Sequence, residues 1–185
     1  GDALLICVMA YAGLRPGEAT ALDWADIRDR TLIVRATKTG KVRSVVILKP
    51  LADDLNEYRL ACGNPKSGPV FTRPRATQWT RSATRFWRND VFNPTCSACG
   101  IQATPYALRH SFASLLAYAH YPVPYSAEQM GHSPTMHTST YQHTIADVDP
   151  AKTLDPMKEI MRARRAAAKA QGAQNGHSRR KLVTA

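Results

Sequence analysis

Apolar side chains recur at helical spacing from Leu4 to Tyr11 in "ALLICVMAYAGL", and Gly13 is placed to end that helix. Pro16 then opens a second helix running to about Trp24, since proline is tolerated in a first helical turn. The runs "TLIVRAT" and "VRSVVIL" are rich in β-branched residues and are joined by "KTGK", the pattern of a hairpin. A helix from about Pro50 to Cys62 carries Leu51, Leu55 and Tyr58 on one face. "GNPKSGP" reads as a loop, and another helix spans about Gln78 to Phe92.

Thr104-Pro105 has the cap and first-turn proline of a helix start, and that helix continues to about Ala119. A short helix near Pro124 to Met130 is closed by Gly131. The small residues from Ser133 to Thr140 read as a connection. Beyond Asp149-Pro150, "MKEIMRARRAAAKAQ" is a basic helix candidate followed by a polar end. The pattern implies an α+β fold that is mostly α-helical, with one small antiparallel β-sheet. It divides into a body over residues 1–150 and a basic segment over 151–185. The Gly-Asp start without methionine, with an apolar helix at once, is read as a piece of a longer protein.

The 185 residues include 44% hydrophobic side chains, enough for a core. The net charge of +11 points to a polyanionic partner such as nucleic acid, or to an acidic membrane surface. Residues 152–185 hold 9 basic and 2 acidic side chains, against 16 and 12 in residues 1–151. Most of the excess is therefore in the tail, and the body's function rests on particular residues. The opening apolar run is too short to span a bilayer and lacks a basic flank, so no membrane role is expected. Cys96 and Cys99 form a C-x-x-C without the second pair that a zinc site uses, so reduced thiols in a cytoplasmic protein are expected, with no metal and no cofactor.

Several side chains could do chemistry. At about 100° per residue, Leu108, Phe112, Leu115 and Ala119 form the core stripe of the Thr104 helix, and Tyr106 and Arg109 project together off it. Arg15 precedes Pro16 at a helix amino terminus, where an anion is favoured, and Glu18 one turn on could hold its guanidinium. Lys38, Lys41 and Arg43 surround the hairpin turn, either as charges protecting a sheet edge or as a finger laid on phosphates. In "GHSPTMHTSTYQHT", His132 follows a glycine and Tyr141 stands nine residues later.

Taken in order, "GLRPGE", "TKTGKVRSVVI", "TPYALRHSF" and "MGHSPTMHTSTYQH" resemble the catalytic domain of the tyrosine recombinases, the phage integrase family. The resemblance covers about residues 3–145. It implies that Arg15 and Arg109 clamp a scissile DNA phosphate and that Lys38 protonates the leaving 5′ oxygen. It also implies that His132 donates to the phosphate, that Tyr141 is the nucleophile, and that His143 matches a histidine found two places beyond it. Lys41 and Arg43 are then expected to contact DNA. Tyr106 stands where the family usually has histidine, and a phenol does not readily accept a proton near neutral pH, which leaves the general base open.

The implied activity is site-specific DNA recombination of the phage or prophage integrase type, through a covalent 3′-phosphotyrosine. A Xer-like or transposon recombinase, and a non-catalytic DNA-binding module with this fold, are the alternatives. Type IB topoisomerases share the chemistry without strand exchange. The implied partners are double-stranded DNA attachment sites, a homotetramer on that DNA, and directionality or DNA-bending accessory proteins. In the family a DNA-binding domain precedes the catalytic one, and this chain is expected to begin after it. The basic tail is expected either to dock on a neighbouring subunit or to be solvated.

Overall fold

The computed structural model describes the backbone of residues 1–35, 41–73 and 79–183, and the side chains of those up to Gln171. Helix α1 (Asp2–Ala12) stops at Gly13, whose φ of 63° is left-handed. A Cβ at Gly13 would overlap the Phe112 ring and lie 2.9 Å from the Met130 sulfur, so this C-cap is also a point of close packing. Helix α2 (Pro16–Thr20) is shorter than its sequence suggests. The Asp23 carboxylate accepts the Ala25 and Gly68 backbone N–H groups, at 2.8 and 3.1 Å, which turns the chain out of the helix into one 3₁₀ turn, Trp24–Asp26.

Strands β1 (Thr31–Arg35) and β2 (Val42–Val46) pair antiparallel, with Thr31 opposite Val46 and Arg35 opposite Val42. The hairpin expected from the sequence is present. Its tip, with Lys38, lies outside the described residues. Helix α3 (Lys49–Ala61) buries Leu51 and Leu55. Helix α4 (Arg81–Trp87) passes through a π-turn, Arg88–Phe92, into α5 (Asn93–Ala98), so the helical path runs past the expected stop at Phe92. Pro94 gives the reason: it lacks an N–H and its ring would crowd the preceding turn, which a wider turn accommodates.

Helix α6 (Pro105–Tyr118) is capped by the Thr104 hydroxyl, which accepts the Ala107 N–H, and packs along α1. Helix α7 (Val123–Met130) ends at Gly131, φ 62°. Ser133 then caps a helix the sequence reading took for a connection, α8 (Pro134–Ala146). Its Thr- and Ser-rich run carries no clear apolar period, so the Ser133-Pro134 start was its one local signal. The long helix α9 (Pro156–Val183) follows.

One core cluster joins α1, the hairpin, α3 and the Trp87–Phe92 region, and includes Leu5, Met9, Leu32, Val45, Leu51, Trp87 and Phe92. A second gathers Phe112, Ala113, Leu116, Met130 and Tyr141 where α6, α7 and α8 meet. The basic segment folds back on the body rather than standing wholly in solvent. Ile160 is buried, and Arg164 Nη1 and Nη2 both donate to the Asp54 carboxylate of α3, the first at 3.0 Å. The Arg164 guanidinium also lies over the Tyr11 ring, 5.6 Å from its centroid. Met157 and Met161 remain exposed. Among the described residues no helix is long and apolar enough to cross a membrane.

Candidate active site

Arg109 is the centre of the site, and it lies inward rather than off the core face. Its residue is 3% exposed, in line with Pro105, Phe112, Ala113 and Leu116. The sequence reading set the stripe one position away because it counted only apolar residues. What makes an arginine acceptable there is tertiary: its guanidinium donates to the carbonyls of Gly13 and Met130. These carbonyls end α1 and α7, where unpaired oxygens and the helix dipoles favour a cation. Burial first, then neighbouring Arg15, bring the Arg109 pKa down to about 10, so it stays charged at neutral pH.

A third bond links Arg109 Nη2 to His132 Nε2 at 2.9 Å. A guanidinium only donates, so Nε2 accepts and the neutral imidazole carries its proton on Nδ1. That Nδ1 is buried and has no partner among the described residues. Burial, then Arg109 and Arg15, lower the His132 pKa to about 4, so the ring is neutral at pH 7.

Glu18 organises the cationic side. Its carboxylate accepts from the Arg15 backbone N–H and from Arg15 Nη1, both at 2.9 Å, so it does hold that guanidinium. It also accepts two bonds from Arg43, at 3.0 and 2.8 Å. Burial alone would raise the Glu18 pKa, but the hydrogen bonds from Arg43 and Arg15 outweigh it and bring it to about 2. Arg43 Nε donates to the Gln129 carbonyl at 3.1 Å, and Gln129 Oε1 accepts the Val46 N–H at 2.8 Å, which pins β2 to α7. The Arg43 guanidinium thus faces inward, with its side chain 10% exposed, unlike the expected phosphate contact. A Cβ at Gly131 would come within 3.0 Å of it. Lys41 is exposed at the start of β2.

Tyr141 completes the cluster. It is 4% exposed and sits at a break in α8, with φ −114° and ψ 17°. Its ring lies 4.8 Å from His137, 5.5 Å from His110 and 6.1 Å from His132, centroid to centroid. Burial raises its phenol pKa, against the lowering pull of Arg109 and Arg15. In this state Tyr141 is a neutral phenol enclosed by imidazoles.

The structure therefore brings together Arg15, Arg109, His132 and Tyr141. It does not add Tyr106, which is 53% exposed and whose hydroxyl makes no hydrogen bond among the described residues. The reason is angular: a side chain three residues before a buried one is turned about 60° away, here outward from the core. His143 is exposed.

Residues 1–147 match the phage integrase family. The chain belongs to that family. It is 31% identical over 143 residues to tyrosine recombinase XerA of Thermococcus kodakarensis, covering 76% of this chain and 50% of that one. It is 29% identical over 153 residues to XerD of Corynebacterium glutamicum, covering 79% and 49%. The chain thus spans about half the length of these relatives.

The fold is similar to that of XerA recombinase, with a TM-score of 0.61 at 21% identity, over 89% of this chain and 62% of that one. It is similar as well to XerH site-specific recombinase bound to palindromic difH substrate, with a TM-score of 0.62 at 21% identity, over 77% and 42%. Within this family member, sequence reasoning missed the inward role of Arg43 and the two further histidines, His110 and His137. The signal for His137 was its place four residues before Tyr141, legible only once α8 is known to be a helix.

Proposed function

We propose that residues 1–150 form the catalytic domain of a site-specific DNA recombinase that cleaves and rejoins DNA through a covalent 3′-phosphotyrosine. The observation that carries this reading is the bond from Arg109 to His132 beside the enclosed Tyr141, with Arg15 held nearby by Glu18. Such a group suits a phosphodiester, whose charge repels nucleophiles and grows in the transition state. Arg15 and Arg109 offset charge on the nonbridging oxygens, and the orphan Nδ1–H of His132 supplies a further donor. Tyr141 attacks phosphorus once DNA draws it out of its enclosure. Lys38, which lies between β1 and β2 in the sequence, protonates the 5′ oxygen as it leaves.

Tyr106 and Lys41, both exposed, contribute donors to the DNA backbone. Arg43 acts by holding Glu18. The DNA partner is a double-stranded attachment site, as the complex of XerH with its difH substrate supports by analogy. The active assembly is a homotetramer on that DNA, aided by directionality or DNA-bending proteins, in the cytoplasm and in service of phage or prophage integration. The basic segment after residue 150 adds sequence-independent phosphate contacts.

The test is incubation of the chain with a nicked suicide duplex carrying the attachment site, mapped from insertion junctions. A covalent protein–DNA adduct stable to detergent is expected. DNA binding without any adduct would favour a non-catalytic module. Relaxation of plasmids that lack the site would favour a topoisomerase.

A further inference from the structure

Tyr106 leaves the reaction without an obvious proton acceptor, and three histidines around Tyr141 are the available ones. His132 is already committed, since its Nε2 accepts from Arg109. His110 lies beside the Tyr141 ring, 5.5 Å centroid to centroid, but is exposed. His137 is neither bonded to Arg109 nor exposed. It is 3% exposed, its Nδ1 is buried, and that nitrogen has no partner among the described residues. A buried polar atom left unpaired costs about 1–3 kcal/mol. Such an atom beside a candidate nucleophile is explained if its partner arrives in another state.

We propose that His137 is the general base that takes the phenolic proton of Tyr141. This rests on the reading of Tyr141 as the nucleophile. The two residues stand one turn apart on α8, with rings 4.8 Å apart, so they share a face. The helical geometry breaks at Tyr141, φ −114° and ψ 17°, whereas the His137 backbone N–H still donates to the Ser133 carbonyl at 2.9 Å. In the reaction the Tyr141 O–H proton passes to His137 Nδ1 as the phenolic oxygen bonds to phosphorus. The bond from phosphorus to the 5′ oxygen breaks, and that oxygen takes its proton from Lys38. On rejoining, the incoming 5′ hydroxyl gives its proton to Lys38 and His137 returns the first proton to Tyr141.

The surroundings keep His137 able to accept. Facing it are Tyr141 from its own helix, His132 from the α7–α8 turn and Arg109 from α6, with Tyr125 of α7 bordering the same cluster. Burial, then Arg109, lower its pKa below the usual histidine value, so the ring is neutral at pH 7. The tautomer required has hydrogen on Nε2 and a lone pair on Nδ1.

The experiment is the pH dependence of single-turnover cleavage of the nicked suicide duplex by wild type and His137→Gln, in the full chain. Wild type should be level above about pH 6.5 and slow in acid as His137 protonates. His137→Gln should be slower by about 10²-fold or more at pH 7, and should gain about tenfold per pH step as hydroxide replaces the base. A variant equal to wild type, or slowed alike at every pH, overturns the proposal. If the variant does not fold, ¹⁵N shifts of the wild-type ring decide: a proton on Nδ1 of His137 at neutral pH overturns it, and a proton on Nε2 supports it. No adduct from wild type removes the recombinase reading and this inference with it. An adduct from wild type with an unchanged variant removes the inference alone.

Discussion

Arg109 and His132 share a single hydrogen bond of 2.9 Å, and the same Arg109 nitrogen also donates to the Met130 carbonyl. One buried guanidinium therefore ties together the ends of α1 and α7 and orients the histidine on the α7–α8 turn. In the proposed mechanism, fold and chemistry depend on the same side chain.

Removing it should damage both. Arg109→Ala leaves the Gly13 and Met130 carbonyls unpaired, and bonds to charged donors are worth about 1.5–3 kcal/mol each. A loss of about 3 kcal/mol in urea unfolding is expected, together with loss of DNA cleavage. Arg109→Lys should recover part of the stability but little of the cleavage, because an ammonium cannot serve three acceptors in one plane.

Gly13→Ala should destabilise by about 2–3 kcal/mol. The residue is left-handed, and its added methyl meets the Phe112 ring and Met130 in the second core cluster, which cannot shift cheaply. Thermal unfolding of the variant measures this, and an unchanged midpoint would contradict the packing described.

Three groups with lowered pKa values feed the acid limb of stability, His137, His132 and Glu18, and the last two carry the larger shifts. His132 has its folded pKa lowered from 6.5 to about 4, so the stability of its neutral form is complete above about pH 6.5 and is lost as pH falls toward 4. Glu18 is lowered from 4.5 to about 2, so its contribution is complete above about pH 4.5 and is lost as pH falls toward 2. Glu18→Gln should flatten the lower window alone in urea titrations across pH, and should loosen both Arg15 and Arg43.

The contact between Arg164 and Asp54 is partly exposed, so a double-mutant cycle should give no more than about 1 kcal/mol. Either single charge reversal should release α9 from α3 and speed proteolysis after residue 150. Reversing both should restore protection.

Much of this was legible in the sequence where the signal is local. The Thr104-Pro105 start, the glycines that end α1 and α7, and the hairpin strands all appear where cap and turn chemistry put them. The Arg15–Glu18 pair was also readable, being one helical turn apart. Arg109's inward position was not, because its acceptors come from the ends of two other helices. Arg43 was misread for the same reason, since Glu18 lies 25 residues away. Tyr141 and His132 were found as motif members, but their enclosure by His137 depended on a helix whose Thr and Ser run gives no periodic pattern.

The chain has seven tyrosines, and in the proposed mechanism Tyr141 is the one that bonds to DNA. The most direct measurement is mass spectrometry of peptides cut from the trapped protein–DNA adduct. It should find the nucleotide on the peptide containing Tyr141, and Tyr141→Phe should give no adduct while binding DNA almost as well. A nucleotide on any other residue, or an adduct that survives in Tyr141→Phe, would contradict it.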